Sequence, residues 1–600
     1  MTNTTKRQDL VDLKERLVKI QDGLALIKAL PNISVYQLIY ETNKDKLDYI
    51  AINYFGTLIT YGELFERIDI LAQKLQTMGV KPQEHVLISE LATPEGVIAF
   101  YACNKIGAVA HLINPLYGED DLVRIINENN IKKYITMDLF YNKKMQKALS
   151  KTSVDTVIYS SLKTSLPYGM NFDKFTYDLI TLLKTAGQKI EKDPKAIKWE
   201  EVVKKDESYV STIDQSYFVP GQDCSVAYTS GSTGISKGVV ATDKSINSLA
   251  IQEAITEDSF IDQDVLFATL PTWIYYGLVH SVHNPLYFSL TIAMNPLFQP
   301  KKVHRDLERY HFNHWDTVPT YIEDIVRNKK VSRMNLDIFK SVVTGGDYLS
   351  IPLQNEFNEL VKNCGGNIKI MQGYGASELL GAFCYTKGND FTPGSVGVPI
   401  IGNKAKIIDV ETGEELGPNQ TGELYLFSPS LMDRYLNNPE ETQKVIEEKD
   451  GLLWYKTGDL AHKNKKGELF IDGRIRRMDM VKDENGMPAK LIPDKIKKVV
   501  EGLPKVFRCE VIAVPDKKYL LRPVIYIQLV PGSIYEDELE KAIKAKCQME
   551  LPTYMIPKDI IVIDKFPLKP SLKVDWGKLE EDYNNRQIEK SGSKLLKRKM

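Results

Sequence analysis

The chain has 600 residues, 43% of them hydrophobic and 26% charged, with 78 Lys and Arg against 79 Asp and Glu for a formal net charge of -1. These values are ordinary for a soluble globular protein with a large core, and a charge so near neutrality argues against a general nucleic-acid or membrane-surface binder. Six cysteines (Cys103, Cys224, Cys364, Cys384, Cys509 and Cys547) show no short pairing, which argues against a zinc site or disulfide framework and fits reduced thiols in a cytoplasmic protein.

In chain order, the polar first ten residues lack the apolar core of a signal peptide. Residues 1–30 are expected to form a helical extension, with Leu10, Leu13, Leu17 and Ile20 at helical spacing. From Ala51 onward, strand-like runs such as Val86-Leu87-Ile88-Ser89 alternate with helical ones such as Ile98 to Lys105. That βαβ rhythm predicts a large N-terminal α/β domain of parallel sheets and helices over 31–472. Residues 160–208, rich in lysine and poor in strand pattern, read as an insertion. The most apolar stretch, 276–298, is interrupted by His280, His283, Asn284 and Pro285, so no transmembrane segment is expected. Beyond about residue 400, short strands punctuated by glycine, such as Gly422-Glu423-Leu424-Tyr425-Leu426, predict a small β-subdomain. A change at Asp472-Gly473-Arg474 opens a smaller α+β C-terminal domain over 473–580, and 581–600 read as a basic, solvated tail.

The run from Tyr228 to Val240 carries Thr229, Ser230, Gly231, Ser232, Thr233, Gly234 and Lys237 between two strand-like segments. Glycines let backbone N–H groups turn toward an anion, hydroxyls add donors and the lysine adds a compact positive charge, as a nucleotide triphosphate requires. The order differs from the Walker loop, which disfavours a P-loop kinase or ATPase. Gly373-Tyr374-Gly375-Ala376-Ser377-Glu378 offers an aromatic face for a base, a hydroxyl for a phosphate and a carboxylate for Mg2+. Asp459, within Tyr455-Lys456-Thr457-Gly458-Asp459-Leu460, could accept from two ribose hydroxyls, and Gly473-Arg474 and a late Lys573 complete the set. Each alone is a common turn or cap; together, in this order, they are not.

With these motifs in place, the chain resembles the adenylate-forming superfamily of acyl-CoA synthetases, peptide-synthetase adenylation domains and luciferases. The similarity spans about residues 33 to 580 and includes Ile59-Thr60-Tyr61-Gly62-Glu63-Leu64, Lys105-Ile106-Gly107-Ala108-Val109, Thr344-Gly345-Gly346-Asp347, Pro393-Gly394-Ser395-Val396-Gly397 and Tyr554-Met555-Ile556-Pro557. The resemblance implies an acid–thiol ligase: a carboxylic acid attacks the α-phosphate of ATP to give an acyl-adenylate, and a thiol then takes the acyl group. It assigns Lys573 to the transferring phosphoryl group, Ser377 to the α-phosphate, Glu378 to Mg2+ and Tyr374 to adenine. Thr229, Ser230, Thr233 and Lys237 fall over the β- and γ-phosphates, Asp459 and Arg474 at the ribose, and Gly345, Gly346 and Gly375 in the nucleotide site. Arg476 is the expected pivot of a hinge that lets the small domain rotate.

The departures from the family pattern are Leu572 where glycine precedes the lysine, Arg434 where glycine precedes Tyr435, a longer 478–493 segment, and Lys497 where a glutamate is expected. They leave the acceptor open between CoA and a phosphopantetheine arm on a carrier protein in trans. The element Pro271-Thr272-Trp273-Ile274-Tyr275-Tyr276-Gly277 implies an acid pocket lined by Trp273, Tyr275, Tyr276 and Gly373. It holds no aspartate for an α-ammonium group, which favours a fatty or aromatic acid over an amino acid. The alternatives are a stand-alone adenylation enzyme loading an acyl or amino acid onto a carrier protein, and a pseudoenzyme that only binds ATP or an acyl ligand.

Overall fold

The computed structural model describes residues 30–166, 193–205, 209–229, 236–257, 259–388, 390–530, 532–568 and 574–597. Two sheets carry the large domain. One runs, edge to edge, Val398–Pro399, Gly381–Tyr385, Met371–Ala376, Ser341–Thr344, His314–Thr317, Val265–Ala268, Thr291–Met294, Ile50–Tyr54, Thr57–Thr60. The other runs Arg434–Tyr435, Gly238–Thr242, Asp223–Tyr228, Val109–Leu112, His85–Ser89, Lys133–Met137, Thr156–Ser160, Ala196–Lys198. Their central pairings are parallel. Parallel strands are covered on both faces, so Val109–Leu112 and Thr291–Met294 are buried at every position instead of alternating.

Between the sheets lies the helix Pro94–Lys105, buried all round and started by the Thr93 hydroxyl on the Gly96 amide, as a helix without a polar face must be. The helix Tyr61–Thr77 opens on a capping box formed by Thr60 and Glu63. The strands Lys404–Ile408, Gly422–Phe427, Leu452–Lys463, Ile446–Lys449 and Leu469–Arg474 form the antiparallel β-subdomain.

Strand pairing in that subdomain continues through Arg474, opposite Asp459, and the chain then leaves by a single turn, Ile475–Arg477. The small domain follows, with a hairpin of Asp479–Lys482 and Pro488–Leu491 and three strands, Val506–Asp516, Leu520–Leu529 and Asp559–Val562. Helices Pro493–Glu501 and Asp537–Glu550 complete its core. It docks through Phe507, which is buried in the core cluster of the large domain, and through Arg508, which reaches Glu323 and Asp347 at 3.2 Å each.

Two sequence expectations need correction. Within 160–208, residues Ala196–Lys198 pair in parallel with Thr156–Ser160; three residues are too few to show a strand pattern. The expected tail is a helix, Trp576–Lys597, anchored by the buried Leu579 and Tyr583 and by the Tyr526 hydroxyl on Asp582 at 2.8 Å. Charged and amide residues between Leu579 and Ile588 had masked that apolar spacing. The helix expected over 1–30 lies outside the described residues except at Leu30. All six cysteines are buried and free. Among the described residues no helix is long and apolar enough to cross a membrane.

Candidate active site

One cavity of about 1290 Å³ lies where the carboxyl ends of the large sheet, the β-subdomain and the small domain meet. Open α/β sheets bind ligands at such strand ends, where loops and helix starts leave polar groups unspent. Here Ser341–Thr344 runs out into Gly345 and Gly346, and Met371–Ala376 runs through Gly373, Tyr374 and Gly375 into the turn Ser377–Leu379. All of these glycines, with Tyr374, Ser377 and Glu378, line the cavity.

Asp459 is the best-organised polar group in it. Its carboxylate is 4% exposed and is fixed on both sides: Arg474 Nε lies 3.0 Å from Oδ1, and the Tyr374 hydroxyl donates to Oδ2 at 2.5 Å. Burial, and then the charge of Asp459, raise the Tyr374 hydroxyl well above its ordinary pKa, so it remains a donor. The backbone amide of Asp459 donates to Thr457 Oγ1 at 3.0 Å, which holds the turn.

Glu378 accepts the Tyr435 hydroxyl through Oε1 at 2.6 Å. Lys237 lies over the Tyr435 ring, 4.6 Å from its centroid, and is hydrogen-bonded to Glu441. That bond, reinforced by Lys444, holds the Glu441 carboxyl down at about 2. The Thr229 amide donates to the Lys237 carbonyl at 3.0 Å and the Lys237 amide to Thr229 Oγ1 at 3.3 Å, so the two ends of the Ser/Gly-rich segment are tied together. Ser230, Gly231, Ser232, Thr233 and Gly234 lie outside the described residues, as do Leu572 and Lys573. The residues flanking 569–573 pair with each other, Leu568 with Val574, and Val574 and Trp576 line the cavity.

The structure divides the expected acid-pocket aromatics. Trp273 and Tyr276 line the cavity, and the Tyr276 hydroxyl donates to the Thr317 carbonyl at 3.2 Å. Tyr275 does not line it: its hydroxyl donates to the Ser225 and Val239 carbonyls, 3.0 Å each, bridging the strands on either side of the Ser/Gly-rich segment. Neighbouring helical positions point about 100° apart, so Tyr275 and Tyr276 cannot share a face. Gly277 is required here, since a Cβ would lie 2.0 Å from the Pro271 carbonyl oxygen.

The following π-helical turn, Tyr276–His283, carries His280 to the cavity wall. His280 Nε2 accepts the Ala382 amide at 3.0 Å and Nδ1 contacts Glu253 at 3.0 Å. A side chain at Gly381 would strike the imidazole, its Cβ 2.1 Å from Nε2. Glu253, His280, Asn284 and Asp316 were not among the residues expected at the site. The available signal was polarity inside apolar runs, as in His280 within 276–298. Two departures from the family pattern have structural partners. Arg434 forms a bidentate pair with Asp223 at 2.9 and 2.7 Å, and Lys497 is buried against Glu510 at 2.7 Å. Arg476 lies in the turn Ile475–Arg477 and lines the cavity.

For a magnesium ion, no group of three or more His, Cys, Asp or Glu gathers among the described residues. Mg2+ at nucleotide sites uses one or two carboxylates and fills its octahedron with phosphate oxygens and water, so a lone Glu378 with one oxygen committed to Tyr435 fits that ion.

A family model described as AMP-binding enzyme matches residues 39–436, and one described as AMP-binding enzyme C-terminal domain matches residues 495–573. Among curated relatives, a long-chain-fatty-acid–CoA ligase of Bacillus subtilis is 25% identical over 572 residues, covering 93% of this chain and 96% of its own. A 4-coumarate–CoA ligase of Nicotiana tabacum is 24% identical, covering 86% and 88%. Among solved structures, an anthranilate CoA ligase in complex with anthranoyl-AMP superposes with a TM-score of 0.75 at 19% identity, covering 93% of this chain and 98% of its own. A benzoate CoA ligase from Burkholderia xenovorans gives 0.72 at 20% identity, covering 91% and 99%.

Proposed function

The chain belongs to the AMP-binding enzyme family, and on that premise we propose that it is an AMP-forming acid–CoA ligase acting on a fatty or aromatic carboxylic acid. The observation that carries this reading is the continuity of one cavity, from the Asp459, Arg474 and Tyr374 cradle to the apolar wall of Trp273, Ile274 and Tyr276. A nucleotide and an acid in that space would meet at Ser377 and Gly373.

The carboxylate oxygen attacks the α-phosphorus of ATP and pyrophosphate leaves. The thiol of CoA then attacks the acyl carbon, and AMP leaves with the oxygen that joined it to the acid. Both partners in the first step are anions, so the protein must align them and neutralise charge that develops on the phosphoryl group. Lys573 is assigned that charge, Ser377 the α-phosphate and Asp459 the ribose hydroxyls, with Arg474 and Tyr374 holding Asp459. Gly345 and Gly346 leave room for adenine beside Tyr374, and Gly375, where a Cβ would lie 1.8 Å from the Gly381 carbonyl oxygen, lets the neighbouring strand pass close behind the nucleotide site. Lys237, with Thr229, Ser230 and Thr233, receives the outer phosphates, which would replace Glu441 as its partner. Glu378 would hold Mg2+, whose charge offsets that of the phosphates. Arg476 is assigned the pivot by which the small domain changes its face toward the cavity. CoA as acceptor rests on the relatives, which are named CoA ligases.

The test is pyrophosphate release from ATP and Mg2+ across fatty, aromatic and amino acids, each with and without CoA. Release that depends on a fatty or aromatic acid and is accelerated by CoA supports the reading. Release indifferent to CoA contradicts the acceptor, and silence across the panel contradicts the enzyme.

A further inference from the structure

The part of the cavity lined by residues 253–320 is acidic. Among residues 253–320, the lining includes three carboxylates, those of Glu253, Glu257 and Asp316, and no lysine or arginine. Both oxygens of Glu253 are committed, one to His280 and one to the Asn284 amide nitrogen. Both nitrogens of His280 are committed as well, and those of His314 are held by Ser341 at 2.7 Å and Asp264 at 3.0 Å.

Glu257 has one oxygen on the Ser259 amide at 3.0 Å, Thr320 Oγ1 has no partner, and two further acceptors stand out. Asn284 is 1% exposed, lines the cavity, and its Oδ1 has no hydrogen-bond partner. Asp316 lines the cavity and makes no hydrogen bond or ion pair with any described residue. Side chains alternate along a strand, so Asp316 and His314 share the cavity face of His314–Thr317 while Trp315 turns into the core. The Thr317 carbonyl receives the Gly345 amide at 3.2 Å and the Tyr276 hydroxyl at the same distance. Asp316 therefore lies one residue before the carbonyl that holds Gly345 and Tyr276, in a cavity whose lining also includes Leu270, Trp273 and Val343.

A half-buried carboxylate without a partner is costly, and an apolar ligand that covers it loses affinity unless it donates to it. We propose that the acid accepted by this protein has an apolar body with a hydrogen-bond-donating group, an amine or a hydroxyl, remote from its carboxylate, and that Asp316 receives that group. The inference rests on the ligase reading and narrows its substrate class. It differs from amino-acid activation, since the donor is placed down the pocket instead of beside the carboxylate. Burial pushes the Asp316 carboxyl up to about 7, with His280 opposing the rise and Glu253 adding to it, so a donor bound there would favour its ionised form.

The test uses two matched series: phenylpropanoates capped at the para position by hydrogen, hydroxyl or amine, and hexanoates capped likewise at the terminal carbon. Each is given to the wild type, Asp316→Asn and Asp316→Leu, reading kcat/KM for pyrophosphate release and, without ATP, the shift in Tm. The expected result is that a donor-capped acid exceeds its hydrogen-capped counterpart by about tenfold or more in the wild type, and that Asp316→Leu abolishes or inverts the ratio. Asp316→Asn, which keeps an acceptor, falls between them and serves if the leucine variant fails to fold. An amine as the better cap marks an ionic partner, and a hydroxyl marks a neutral one. If no acid releases pyrophosphate but donor-capped acids still raise Tm in an Asp316-dependent way, the ligase reading fails and the pocket assignment stands. Preference for hydrogen caps, ratios indifferent to Asp316, or no stabilisation by any acid overturns the proposal.

Discussion

Asp459 and Arg474, fifteen residues apart, face each other directly across two antiparallel strands, with guanidinium Nε 3.0 Å from the carboxylate. The strand register sets this pair before any ligand arrives, and the Tyr374 hydroxyl fixes the second oxygen. On the proposed reading, a carboxylate held this way would accept the two ribose hydroxyls without reorganising.

Asp459→Ala is therefore expected to lower kcat/KM for ATP by about 100-fold, the loss of two hydrogen bonds to a charged acceptor. The loss should fall mainly on KM, and discrimination between ATP and its deoxyribose analogue should shrink with it. Steady-state kinetics with both nucleotides checks this.

Arg434, which departs from the expected glycine, pairs with Asp223 at the start of a strand and with the adjacent Asp433, and does not line the cavity. Arg434→Gly should cost at most about 1 kcal/mol, as for a half-exposed bidentate pair, and leave adenylation within about twofold. Urea unfolding and pyrophosphate release measure the two effects.

These two cases show what the sequence carried. The Asp459 and Arg474 motifs stood out because both lie in short runs rich in glycine and charge, and the strand pairs around 228 and 238 follow from apolar runs flanking glycines. Asp223, 211 residues from Arg434, gave no local sign of pairing with it. Asp316 was equally hidden, and His280 and Asn284 showed only as polar breaks in an apolar run, because a pocket floor is assembled from several elements. Tyr275 and Tyr276 were read together, and only the helical turn sends one into the core and the other to the cavity.

The small domain is held against the large one by a buried charge network. Arg508 reaches Glu323 and Asp347 across the interface and Glu510 within the small domain, and Glu510 also takes Lys497 at 2.7 Å and the Trp576 indole at 2.9 Å. Glu510→Gln leaves Lys497 buried without its counter-charge and should destabilise the small domain by about 3–5 kcal/mol. Limited proteolysis after Arg477 and thermal melting would report it.

Burial alone would raise the Glu510 carboxyl, but Lys497 and Arg508 outweigh it and hold it down to about 2. A carboxyl depressed on folding contributes stability that is complete above its unfolded value near 4.5 and is lost as pH falls through the folded value. The Tm difference between wild type and Glu510→Gln should thus be constant near neutrality, begin to shrink below pH about 4.5 and close toward pH about 2. A difference that grows on acidification would contradict the pairing.

The most direct test of the ligase reading follows an oxygen atom. With the acid labelled by heavy oxygen in its carboxylate, attack on the α-phosphorus and displacement by CoA must leave one labelled oxygen in AMP, and Lys573→Ala should abolish that transfer while ATP binding persists. Mass spectrometry showing labelled AMP in step with acyl-CoA is the predicted result. Label in inorganic phosphate beside ADP, or AMP released without label, would contradict activation of the acid as its adenylate.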